Sequence, residues 1–88
     1  MVRGIRGIDR YEHVYQCLVL SADGEVDHIL ECPKLPVILK AIRDETEYRF
    51  KVPHGNKVRA IILEQGACYI VDPDTNTLYN ITIRRWKV

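Results

Sequence analysis

The chain has 88 residues, 47% hydrophobic and 28% charged, with 13 Lys and Arg against 12 Asp and Glu. That is the composition of a small globular domain with one core, and it excludes a disordered chain. The formal net charge of +1 by itself predicts neither a nucleic-acid nor a membrane partner, and no apolar run reaches the roughly 18–20 residues of a membrane-spanning helix.

The first ten residues carry Arg3, Arg6 and Arg10 among Gly4 and Gly7, without the apolar stretch of a secretory signal. They are expected to form an irregular basic arm. Tyr11 to Ser21 is rich in β-branched and aromatic residues and reads as a strand. Asp23-Gly24 is a two-residue turn signal, because Gly tolerates positive φ. Residues 11–32 are therefore expected to be a β-hairpin, with Val19 opposite His28, Cys17 opposite Leu30 and Tyr15 opposite Cys32. The other face then pairs Leu20 with Asp27, Leu18 with Ile29 and Gln16 with Glu31, a mixed surface that is partly wet.

Pro33-Lys34-Leu35-Pro36 breaks the strand and opens a helix, expected over 34–44. Its apolar stripe is Leu35, Ile38, Leu39 and Ile42, at i, i+3, i+4 and i+7. Residues 46–88 read as antiparallel strands. Residues 47–52 alternate polar and apolar, 57–64 and 67–72 flank a Gln65-Gly66 turn, and 77–88 follow a Pro73–Asn76 loop. The expectation is one α+β domain over 1–88, an antiparallel sheet of five to six strands with one packed helix, in the order ββαββββ.

Registering Val52 with Val58, Ile62 with Tyr69 and Val71 with Leu78 makes both faces of that sheet apolar. One face carries Tyr48, Phe50, Val52, Val58, Ala60, Ile62, Tyr69, Val71 and Leu78. The other carries Ile61, Leu63, Cys68, Ile70, Tyr79, Ile81 and Ile83. One short helix covers one face, so the second is expected to meet the hairpin, to be enclosed by closure into a barrel, or to meet another chain. The expected partner interface is Ile61, Leu63, Ile70, Tyr79, Ile81 and Ile83.

The residues that carry chemistry form no ordered motif. Cys17, His28 and Cys32 share a hairpin face, but residues four apart on a strand lie roughly 13 Å apart, too far for one zinc ion. Asp72-x-Asp74-x-Asn76 opens like a calcium loop, yet lacks the Gly and Glu that a calcium loop needs, and Asp-Pro-Asp-Thr-Asn suits a hairpin loop. His54 and Cys68 stand in no nucleophile elbow, phosphate-binding loop or zinc-protease helix. No catalytic residue, metal or cofactor is expected. Three cysteines are not a disulfide framework, which favours a reducing, cytoplasmic setting.

Charge is uneven along the chain. Arg84, Arg85 and Lys87 flank Trp86 at one end and Arg3, Arg6 and Arg10 lie at the other, on a net acidic body. The expected function is that of a small non-enzymatic protein-binding module, a regulator, inhibitor or adaptor, which self-associates through an apolar sheet face. The alternative is nucleic-acid binding through Arg3, Arg6, Arg10, Arg84, Arg85, Trp86 and Lys87.

Overall fold

The computed structural model describes residues 11–87, so the arm expected over residues 1–10 lies outside the described residues. The described elements are β1 (Tyr11–Leu20), β2 (Val26–Cys32), α1 (Leu35–Glu45), α2 (Gly55–Gln65), β3 (Cys68–Val71) and β4 (Leu78–Lys87). The four strands form one antiparallel sheet in the order β2-β1-β4-β3. The fold is α+β. Four strands and two helices in the order ββααββ replace the expected five to six strands, single helix and ββαββββ order.

The hairpin forms with the expected pairs from Tyr15↔Cys32 through Val19↔His28. The turn is one residue longer than expected. Ser21 N–H donates to Glu25 O (2.8 Å), Gly24 N–H donates to Ser21 O (2.9 Å), and Gly24 adopts φ 88. That extra residue moves Leu20 onto Val26 rather than Asp27, and Asp27 becomes a bulge.

Helix α1 buries Leu35, Ile38, Leu39 and Ile42, the stripe read from the sequence. It ends at Thr46, which is fully buried and whose Oγ1 donates back to Ile42 O (2.8 Å). The strand expected over 47–52 is absent. Glu47 and Tyr48 both take φ 55, a left-handed conformation that no strand accommodates and that costs on the order of 1 kcal/mol per residue.

The strand expected over 57–64 is helix α2. Its β-branched residues favour a strand locally, but Val58 and Ile62, four apart, both face the core. Gly66, read from the sequence as part of a hairpin turn, is the left-handed C-cap at φ 92, with its N–H on Ile62 O. A Cβ at Gly55 would meet Leu39 Cδ1 of α1 at 3.8 Å, ordinary van der Waals distance, and the two helices pack beside each other as one layer.

This change inverts the sheet. The helices cover the face of Tyr15, Cys17, Val19, Cys68, Ile70, Tyr79 and Ile81, all buried in one cluster with Ile38, Leu39, Ile42, Val52 and Val58. In the loop from β3 to β4, Asp74 N–H donates to Asp72 Oδ1 (2.9 Å) and Asn76 N–H donates to Asp72 O (2.8 Å), and Val71 faces Leu78 as expected. Asp72 is buried and receives Arg49 through Nη1 (3.0 Å) and Nη2 (2.7 Å). The Arg49 guanidinium holds its carboxyl at about 2. Arg49→Ala is expected to leave this carboxylate without its cation and lower the melting temperature by roughly 10 °C. Asp72 is stabilising above its ordinary range and loses that contribution as pH falls through about 2. The difference between wild type and Arg49→Ala should therefore shrink on acidification, a trend that thermal melts across the acid range measure.

Candidate functional site

The face of the sheet away from the helices is apolar at one end and polar at the other. Alternation places Leu18 and Leu20 of β1, Val26 and Ile29 of β2, Leu78 of β4, and Tyr69 and Val71 of β3 on it. The register sets them in two rows across all four strands, Val26-Leu20-Leu78-Val71 and Ile29-Leu18-Asn80-Tyr69. Four strands at ~4.8 Å spacing make this patch ~19 Å wide. Val26 (54%), Ile29 (50%), Tyr69 (62%) and Val71 (51%) are exposed, and Leu18, Leu20 and Leu78 are half-buried.

Next to the patch the same face carries a polar row. Arg84 Nη1 donates to Gln16 Oε1 (3.2 Å), and Gln16 Nε2 donates to Glu31 Oε2 (2.6 Å). One cation and one anion balance it. Within the patch, the amide oxygen of Asn80 is buried and has no hydrogen-bond partner among the described residues. A buried acceptor left unpaired costs about 1–3 kcal/mol, and this one is enclosed by its own chain rather than presented on the surface.

The expected interface is placed differently. Ile70, Tyr79 and Ile81 lie in the core under the helices, and Ile61 and Ile83 pack against it half-buried. Only Leu63 of that set stands exposed, on α2. The apolar face that remains uncovered is the opposite one. Three of its members, Tyr69, Val71 and Leu78, belong to the face assigned at the sequence level to the helix, and Leu18, Leu20 and Ile29 to the hairpin face read as mixed. The unpaired Asn80 had no signal in the sequence.

The basic segments meet in part. Tyr11 pairs with Lys87, so the chain enters β1 and leaves β4 at the same end of the sheet. There a cleft of about 800 Å³ opens between the sheet and α2, lined by His13, Arg59, Leu63, Ile83 and the exposed Arg84 and Arg85. The Arg84 guanidinium turns to the other face, towards Gln16. Arg3, Arg6 and Arg10 lie outside the described residues, as do the side chains of Trp86 and Lys87.

The nucleophiles and bases lie apart from this face. Burial, reinforced by the charge of Glu45, raises the Cys17 thiol to about 12, and burial also raises Cys68. Both thiols stay protonated at neutral pH, the unreactive form. His54 is exposed beside α2. His28 lies between two carboxylates, with Nδ1 2.8 Å from Asp27 and Nε2 2.7 Å from Glu45. The two carboxylates favour the imidazolium, in which both ring nitrogens donate and no lone pair is left for a base. Glu45 also accepts from the Tyr79 hydroxyl (3.2 Å), whose pKa burial and this carboxylate raise to about 12. The cluster ties β2, α1 and β4 together. Among the described residues no three His, Cys, Asp or Glu gather as metal ligands.

No protein-family model, curated protein or solved structure matches the chain.

The hydrogen bonds to Asp27 and then Glu45 raise the His28 pKa above 6.5. Its stabilising contribution is fully present below 6.5 and is lost as pH rises through the folded-state value. Titration of the imidazole protons by NMR should give a midpoint above 6.5, and His28→Gln should flatten the fall in stability between neutral and mildly alkaline pH.

Proposed function

We propose that this chain is a non-enzymatic protein-binding module that works by packing the open face of its sheet against a second copy of itself. The observation that carries the reading is the uncovered apolar patch across four strands. Exposed apolar patches of this extent mark interaction surfaces.

The second copy is favoured by self-complementarity. Two sheets packing face to face keep their strands within about 30° of each other at a separation of ~10 Å. A two-fold axis parallel to the strands, between β1 and β4, lays the apolar rows on one another. Val26 then faces Val71 of the second copy, Leu20 faces its Leu78, and Ile29 faces its Tyr69. Leu18 in turn faces Asn80 of the second copy. The polar rows also overlap, which brings Glu31 towards Arg84 of the second copy. Glu31 and Arg84 balance, so the face presents no surplus of charge for an oppositely charged partner to neutralise. Apolar centre and polar rim follow the anatomy of protein interfaces. A regulatory or adaptor role fits such a module, and three unpaired thiols fit a reducing, cytoplasmic setting. No helix among the described residues is long and apolar enough to cross a membrane.

A second reading rests on the junction of the chain ends. With Tyr11 beside Lys87 and Arg59 and Arg85 on one cleft, the basic end of the sheet is a candidate for an anionic partner, nucleic acid above all. It predicts binding that weakens steeply with salt and is lost in Arg59→Ala/Arg85→Ala, measured by gel shift. A gel shift without complex at low salt removes it.

The self-association reading is tested by Ile29→Lys/Val71→Lys. Both side chains are exposed, so the change should leave the circular dichroism spectrum intact. Sedimentation velocity should show wild type at twice the chain mass and the variant at the chain mass, a loss of affinity of at least ten-fold. A wild type that stays monomeric at high concentration, or a variant that stays dimeric, contradicts the reading.

A further inference from the structure

The turn after α1 is pinned at both ends around an aromatic ring that the core does not use. On one side Thr46 is fully buried, with Oγ1 donating to Ile42 O at 2.8 Å. On the other side the Arg49 guanidinium is fixed on Asp72 (2.7 Å) and Asp74 (2.5 Å), and Arg49 N–H donates to Thr46 O (3.0 Å). Between these anchors Glu47 and Tyr48 stand at φ 55 each. The two left-handed residues form the C-terminal cap of α1, with Glu47 N–H donating to Asp44 O (3.1 Å) and Tyr48 N–H donating to Arg43 O (2.9 Å), and the cap leaves Tyr48 62% exposed.

Tyr48 forms part of a cleft of about 440 Å³ lined also by Arg43, Phe50, Lys51, Val52 and His54. Val52 is buried and Phe50 half-buried, so the cleft has an apolar floor. Among the described residues no acidic side chain lines it, and Arg43, Lys51 and His54 make no ion pair. An exposed π-face beside unpaired cations is the chemistry that recognises a planar, negatively charged ligand. Aromatic side chains stack on nucleobases irrespective of sequence, while Arg and Lys hold the phosphate.

We propose that this cleft binds a nucleobase carrying a phosphate, with the base stacked on Tyr48 and the phosphate held by Arg43 and Lys51. The capped turn, anchored through Thr46 and Arg49, fixes the backbone that carries Tyr48, so less order is lost when the ligand arrives. The site uses neither the open sheet face nor the basic chain ends, and stands or falls independently of both. The phosphorylated base can belong to a single strand or to a free nucleotide. The apolar floor gives a base its contact, and an inorganic anion has no use for it.

The test is fluorescence anisotropy with labelled short oligo-dT and oligo-U at low salt, with AMP and UMP as competitors. Wild type should bind the single strands, and Tyr48→Ala should weaken binding about ten-fold or more, while Tyr48→Trp retains it. Lys51→Ala should reduce the dependence on salt. Competition by AMP or UMP assigns the site to nucleotides in general, and failure to compete assigns it to a strand. Tyr48 is exposed, so Tyr48→Ala should fold as wild type does, which circular dichroism checks, and Lys51→Ala offers a second exposed position. Absence of binding to every probe at low salt overturns the proposal. So does wild-type affinity in Tyr48→Ala, and if that binding is lost in Arg59→Ala/Arg85→Ala it belongs to the chain ends instead.

Discussion

A sheet has two faces, and the two helices among the described residues lie on one of them. Everything else follows from that coverage. Cys17, Val19, Ile70, Tyr79 and Ile81 are enclosed because α1 lies over β2 and β1 and α2 lies beside it over β4 and β3. At about 25 cal/mol per Å² this enclosed side supplies the hydrophobic stabilisation of the fold. The opposite side keeps Val26, Ile29, Tyr69 and Val71 in water. An antiparallel sheet tolerates one wet face, but that face is ordinarily polar. Here it is polar only in the row of Arg84, Gln16 and Glu31. The apolar half is what makes an interaction surface the natural reading.

Polar contacts fix where the helical layer sits. The Arg49–Asp72 pair joins the segment between the helices to the end of β3, and Glu45 draws in His28 from β2 and Tyr79 from β4. These are directional contacts, and they set the helices over a particular part of the sheet where hydrophobic burial alone is indifferent to direction. They also leave His28 and the buried thiols in states unsuited to nucleophilic chemistry. A fold secured in this way has its unused chemical groups on its surface, in the Tyr48 cleft and on the open face.

The parts legible in the sequence were those governed by local rules. The hairpin register from Tyr15 to Val19 followed from Asp23-Gly24 and period-two patterning, and α1 followed from Pro36 and four apolar residues at helical spacing. Facing of Val71 and Leu78 followed from the Asp-Pro-Asp-Thr-Asn loop. Misreading began at Glu47. Residues 47–52 alternate like a strand, but two left-handed residues turn the chain. In 57–64, Val58, Ala60 and Ile62 alternate while Val58 and Ile62 also stand four apart, so one string satisfied both periods. Its β-branched residues favoured the strand, and the need to cover Val19 and Ile81 favoured the helix. With that one element changed, the covered and open faces of the C-terminal strands exchanged. That one sheet face stays apolar and uncovered was legible, and which side of the sheet it occupied was not.

The most direct test of one-sided coverage is an NMR experiment on a sample mixing isotope-labelled and unlabelled chains, which reads contacts between copies alone. The account predicts intermolecular contacts from the methyl groups of Leu18, Leu20, Val26, Ile29, Leu78 and Val71, and none from those of Ile70 or Ile81. Intermolecular contacts that involve Ile70 or Ile81, or that leave out the Val26-to-Val71 row altogether, would contradict it.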